Sequence, residues 1–78
     1  MPRPANPPDL STFAGRLGAS IRARRERAKL TVDEAASAAS VPVPTWYNWE
    51  SGRHVSLERL PEIAKALGCS VRLLVPEE

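Results

Sequence analysis

One cysteine and one histidine are all that the 78 residues offer for thiol, imidazole or soft-metal chemistry. Cys69 alone cannot build a disulfide framework, and Cys69 with His54 falls short of the ligand set of a structural zinc site. Cys69 lies between Gly68 and Ser70 beside apolar residues, so it reads as a small buried hydrophobe rather than a reactive thiol. No paired-carboxylate constellation is present either. An enzyme is therefore rejected, and no metal or cofactor is expected. Long apolar runs are also missing: none approaches the roughly 20 residues that span a bilayer. The opening MPRPANPPDL lacks the apolar stretch of a secretory signal, so no membrane contact is expected and the cytoplasm is the default compartment.

Strand-like alternation and internal repeats are absent too, whereas helical periodicity is present throughout. A chain this short makes one domain, burying only about 60–65% of its unfolded surface, so the core must be tightly connected. The net charge of +2 carries little information, but its distribution carries more. Arg16, Arg22, Arg24, Arg25, Arg27 and Lys29 stand against Glu26 alone, while the chain ends in Glu77 and Glu78. Such a block is either a phosphate-facing surface or an ordinary solvated helix face.

Residues 1–8 hold four prolines and no apolar anchor larger than Met1, which predicts an extended or disordered arm. A domain over 9–75 and a short tail over 76–78 follow. The first helix is expected to be capped by Asp9 or Ser11 and to end near Lys29, with Phe13, Leu17 and Ile21 as its stripe and Ala14 and Ala28 flanking. Gly15 and Gly18 weaken its first half by about 1 kcal/mol each relative to alanine. Thr31-Val32-Asp33-Glu34 reads as a capping box opening a second helix. Its alanines (Ala35, Ala36, Ala38, Ala39) suit close approach to a neighbour.

A third helix runs from about Pro42 to Ser51, with Pro42 and Pro44 at its cap and first turn, where missing amides cost little. Trp46 and Trp49 share one face, and Gly52 is suited to the position just past the helix. A fourth helix, Leu60–Leu67, turns Ile63, Ala64 and Leu67 inward and ends at Gly68; Pro61 places its regular start close by, with a kink if Ser56 is the cap. Ser70 can cap a short fifth helix that Pro76 stops. The fold class is all-α, a compact five-helix domain.

Two short helices joined by a tight turn occupy TVDEAASAASVPVPTWYNWESG, Thr31 to Gly52. Here the chain resembles the Cro and phage-repressor type (XRE-like) helix-turn-helix family. The likeness extends to Leu17, Ile21 and Arg25, to Trp49, Glu50 and Gly52, and to LPEIAKALG from Leu60 to Gly68, covering residues 13–75. Three departures stand out. Ala35 replaces a usual leucine and Trp46 a usual isoleucine, a large-for-small exchange across one core site. Ser40 replaces a usual glycine, which costs of order 1 kcal/mol if φ is positive. The loop from Gly52 to Leu60 is about one residue shorter than in many relatives.

The resemblance implies a sequence-specific double-stranded DNA-binding regulator of transcription, a repressor being the better choice because little surface remains for contacting polymerase. It implies a buried ion pair between Arg25 and Glu50, and a third helix lying in the major groove. The outward set would then be Val43, Pro44, Tyr47 and Asn48, with Thr45 near the edge; Asn48 can pair bidentately with adenine. Val32 stands where relatives often carry a phosphate-touching glutamine, although the amides at the helix start near Thr31 and Val32 can still bind a phosphate. Arg53 and His54 are backbone-contact candidates, His54 equally readable as a plain loop residue. Arg3 either reaches a minor groove or has no role. A two-fold homodimer on DNA is expected, with Val71, Leu74 and Val75 either touching the second copy or finishing the core. The competing function is an antitoxin or adaptor that uses VPVPTWYNW for a protein partner.

Overall fold

The computed structural model describes residues 9–76, so the proline-rich arm, Arg3, Glu77 and Glu78 lie outside the described residues. Five α-helices follow in order: α1 Phe13–Arg27, α2 Val32–Ala38, α3 Val43–Glu50, α4 Leu60–Leu67 and α5 Val71–Leu74. A 3-10 turn, Leu57–Arg59, leads directly into α4. No strand occurs among the described residues. Helix α1 packs on α3, α2 packs on α3 and α4, and α5 closes the bundle against α1 and α4.

Thr12, rather than Asp9 or Ser11, caps α1, its hydroxyl accepting the Gly15 amide at 2.9 Å. Asp9 instead organises the approach. Its carboxylate accepts from the Ser11 amide (3.0 Å) and hydroxyl (2.6 Å), and its carbonyl accepts from Thr12. The Ser11 hydroxyl bond first, then the amide bond, holds the Asp9 carboxyl below its ordinary range. That turn folds the backbone onto Gly15, where a Cβ would lie 1.8 Å from the Asp9 carbonyl oxygen. Gly15 is therefore required for close approach. Phe13, expected on the stripe, and Ala14 and Ala28, expected on its flanks, are exposed; Leu17 and Ile21 carry the stripe.

Four helices end in one device. Past the ends of α1, α2, α3 and α4 two successive backbone amides fold back on carbonyls of the last turn: Lys29→Glu26 with Leu30→Arg25, Ser40→Ser37 with Val41→Ala36, Gly52→Trp49 with Arg53→Asn48, and Gly68→Lys65 with Cys69→Ala64. This paired pattern is the Schellman motif, and it needs a left-handed residue just past the helix. Lys29 (φ 62°), Ser40 (φ 61°), Gly52 (φ 86°) and Gly68 (φ 70°) occupy those places. Ser40 thus carries the positive φ expected of a glycine substitute. Leu30, Val41 and Cys69, which follow three of the four left-handed residues, pack against the core, so those stops also anchor the next segment, whereas Arg53 after Gly52 is exposed.

The core centres on Ile21, Trp46, Trp49, Ile63 and Leu74, all shut off from solvent. The two indoles meet edge to face, with ring centroids 5.4 Å apart and planes at 61°. Ala35 is also fully buried, on a helix packed against the one that carries Trp46, as the large-for-small exchange requires. Leu74, read from the sequence as one choice for a dimer contact, is fully buried and completes the core. Its neighbour Leu73 is 46% exposed instead, because α5 is one turn long and only one of its leucines can face inward.

Candidate nucleic-acid interface

Helix α2 begins as the capping box predicts. Thr31 Oγ1 accepts the Glu34 amide at 3.1 Å, and Glu34 Oε1 accepts the Thr31 amide at 2.8 Å. Both groups are thereby committed to the helix start. The first turn also carries two carboxylates, Asp33 and Glu34. Negative charge there favours the helix dipole but opposes an incoming phosphate. Val32 is half-buried and packs on the core, so its side chain does not replace the glutamine of relatives.

Helix α3 has no side-chain cap: the amides of Thr45 and Trp46 both turn back to the Pro42 carbonyl, at 3.0 and 3.2 Å. The buried side is Trp46, Trp49 and Glu50, with Val43 half-buried beside them. Val43, expected outward, therefore belongs to the inner side, since it precedes Trp46 by three residues and shares its face. Pro44 and Asn48, one turn apart, centre the opposite side. Pro44 is exposed, while Asn48, Thr45 and Tyr47 are half-buried along it. Ser51 continues this ridge three residues beyond Asn48, and its hydroxyl donates to the Asn48 carbonyl at 2.9 Å. Sequence reading passed over Ser51, although the spacing from Pro44 to Asn48 to Ser51 could have found it.

Past α3, Arg53 and His54 are both exposed, and His54 takes a left-handed backbone (φ 60°). The close packing of α1 explains how this corner is held. A Cβ on Gly52 would meet the Ala14 carbonyl oxygen at 2.7 Å, and one on Gly18 would meet the Gly52 amide nitrogen at 2.5 Å. The end of α3 is thus wedged against the backbone of α1.

One buried charge cluster ties these parts together. Arg25 Nε donates to Glu50 Oε2 at 2.5 Å and Nη2 to Oε1 at 3.4 Å, as expected for the pair. The two side chains are only 13% and 8% exposed. Hydrogen bonding to Glu50 is the main reason that the Arg25 guanidinium is held above its ordinary range, burial opposing it. Arg25 Nη1 also donates to the Leu30 carbonyl at 2.9 Å, immediately before the Thr31 cap. Trp46 Nε1 donates to Glu50 Oε2 at 2.6 Å. That last bond had no sequence signal beyond the i, i+4 spacing of an indole and a carboxylate. Every buried side-chain polar atom among the described residues is satisfied.

The basic block of α1 divides. Arg25 enters the cluster, Arg22 pairs with Glu26 at 3.1 Å, and Arg16 donates to the Leu10 carbonyl. Arg24 and Arg27 line a depression with Leu67, Gly68 and Cys69, on the side of the α4–α5 connection. Lys29 is exposed and sits two residues before the α2 cap. It is the member of the block nearest in sequence to the helix pair.

A sequence profile described as helix-turn-helix domain matches residues 16–75. Among solved structures, the clp gene regulator ClgR from C. glutamicum is similar at 33% identity and a TM-score of 0.77, over 81% of this chain and 83% of that one. The restriction-modification controller protein C.AhdI from Aeromonas hydrophila is similar at 27% identity and a TM-score of 0.71, over 76% and 91% of the two chains. The hypothetical transcription factor NHTF from Neisseria shares the fold, with a TM-score of 0.77 at 22% identity over 97% of this chain and 88% of that one. No curated protein matches the chain significantly.

Proposed function

The chain belongs to the helix-turn-helix domain family, and on that premise we propose that it is a sequence-specific double-stranded DNA-binding regulator of transcription that acts as a repressor in the cytoplasm. Helix α3 enters the major groove with Pro44, Thr45, Tyr47 and Asn48 toward the bases. The observation that carries this reading is the outward ridge of α3, where Pro44, Asn48 and Ser51 align opposite two buried tryptophans. Asn48 reads adenine through its amide, while Pro44 and the Thr45 methyl meet thymine methyls. Tyr47 serves a phosphate flanking these bases, while Ser51 stays bonded to the Asn48 carbonyl and braces the end of the ridge.

Arg53 and His54 lie just past the reading helix and supply backbone contacts at one end of it. At the other end the acidic first turn of α2 weakens the role expected of Thr31 and Val32. Lys29, exposed and two residues ahead of the cap, supplies the positive charge there instead. Val43 supports the reading helix from inside rather than touching a base.

Binding is as a two-fold dimer, through the exposed surface of α5 and its exit: Leu73 and Val75, with half-buried Val71 behind them. ClgR and C.AhdI are by their names a gene regulator and a controller, which favours regulation over catalysis for this chain as well. No helix among the described residues is long and apolar enough to cross a membrane.

The test is selection from a random duplex pool near physiological salt. Enrichment of one motif by the chain, and its loss in Asn48→Ala, supports the regulator. A folded chain that enriches nothing overturns it and leaves the antitoxin or adaptor function to be tested by partner capture.

A further inference from the structure

Trp46 stands out because its single polar atom is used where the helix it belongs to is least secured. The side chain is fully buried, and its indole N–H donates to Glu50 Oε2, the oxygen that also takes Arg25 Nε. Trp46 lies in the first half of α3 and Glu50 at its end. The start of α3 has no capping side chain and no acidic residue in its first turn, and Pro42 and Pro44 bring no amide to it. The N-terminal half of α3, which carries Pro44 and Thr45, therefore has one buried polar side-chain tether, and it runs through Trp46.

The far end of that tether reaches the other half of the reading surface. Glu50 holds Arg25, and Arg25 holds the Leu30 carbonyl, one residue from the α2 cap. One network therefore fixes the pitch of α3 against α1 and against the start of α2. Register between bases and phosphates depends on that relation, because groups that read base edges must be held to a fraction of an ångström.

We propose that the Trp46 indole N–H is a positioning group for DNA reading, setting the orientation of α3 by locking the Glu50 carboxylate to the inner face of its own helix. A side chain of similar bulk lacking the N–H leaves Glu50 Oε2 with Arg25 alone, and the carboxylate can then follow Arg25 while α3 turns beneath it. The proposal rests on the DNA-reading function above.

Two variants remove the donor in different ways. Trp46→Phe keeps an aromatic ring, and Ala35→Leu/Trp46→Ile exchanges bulk across the α2–α3 contact. Backbone residual dipolar couplings of the free protein report the angle of α3 against α1, and fluorescence anisotropy compares the selected duplex with a scrambled one well below the melting temperature. Both folded variants are expected to turn α3 relative to α1. Their preference for the selected duplex is expected to fall about tenfold or more, the scale of one lost hydrogen bond to a charged group. Affinity for the scrambled duplex stays as it was. A merely structural role lowers the melting temperature and leaves the preference untouched.

An unchanged α3 angle, or an unchanged preference in a folded variant, overturns the proposal. A wild-type chain that selects no duplex overturns the DNA reading beneath it, so the two failures are distinguishable. If Trp46→Phe does not fold, the double variant decides alone. If neither folds, the Trp46 indole proton of the wild-type chain decides: a chemical shift at the position of a free indole, with no hydrogen-bonded displacement, overturns the tether.

Discussion

Gly18 in α1 and Gly52 past α3 meet backbone to backbone, so a Cβ on Gly18 would lie 2.5 Å from the Gly52 amide nitrogen and 2.7 Å from the Glu50 carbonyl oxygen. Helix propensity alone predicts that Gly18→Ala stabilises α1 by about 1 kcal/mol. The clash reverses that sign, because the opposing atoms are main chain and cannot swing away. Overpacking of this kind costs about 1–3 kcal/mol net. Urea unfolding of Gly18→Ala is expected to show the loss. A gain in stability would mean that the two backbones are free to separate.

The left-handed stops offer the opposite change. Ser40 and Lys29 each hold a positive φ that L-residues avoid by roughly 1–2 kcal/mol. Glycine removes the strain but gives the unfolded chain more freedom, by about 0.4–1 kcal/mol. Ser40→Gly is therefore expected to stabilise by roughly 0.5–1 kcal/mol. A domain of this size then melts about 2–8 °C higher. Ala23→Gly, at an exposed site inside α1, serves as the control and is expected to lose about 1 kcal/mol. Equal effects of the two glycines would show that φ at Ser40 is relaxed.

How much of this was legible depended on whether a signal was local. The Thr31–Glu34 capping box could be read because both halves of it lie within four residues. Arg25 and Glu50 are 25 residues apart, and only the family resemblance joined them. Asp9, Ser11 and Thr12 are all good caps. Thr12 wins because the chain must fold back so that Asp9 rests on Gly15, a tertiary demand invisible from propensity. Lys29 gave no sign of its left-handed backbone, whereas Ser40 did, since relatives carry glycine there. At α5 a one-turn helix has no period to read, so the choice between Leu73 and Leu74 had to come from the packing.

The buried cluster predicts unequal losses from its members. Glu50→Ala leaves the Arg25 charge and the Trp46 N–H without their acceptor in a site closed to water. It is expected to cost about 3–5 kcal/mol, enough to threaten folding in a domain this small. Removing the partner as well, in Arg25→Met/Glu50→Ala, is expected to recover part of that loss, since no unpaired guanidinium remains. Denaturant unfolding of the two singles and the double gives the coupling energy. Strict additivity would mean that water reaches the pair.

Reading and anchoring residues should separate by salt. Asn48 touches bases in the proposed complex, so Asn48→Ala is expected to lose about 1–3 kcal/mol on the selected duplex and almost nothing on a scrambled one. Its slope of log K against log salt stays that of the wild type. Arg53→Gln and Lys29→Gln remove phosphate charges instead. Each is expected to weaken both duplexes alike and to make the salt slope shallower by about 1. His54→Gln discriminates the two readings of that loop residue: weaker binding to both duplexes alike marks a phosphate contact, and unchanged binding marks a plain loop residue. If Lys29→Gln leaves the slope unchanged while Arg53→Gln lowers it, the α2 end carries no phosphate, and the complex is anchored from the α3 side alone.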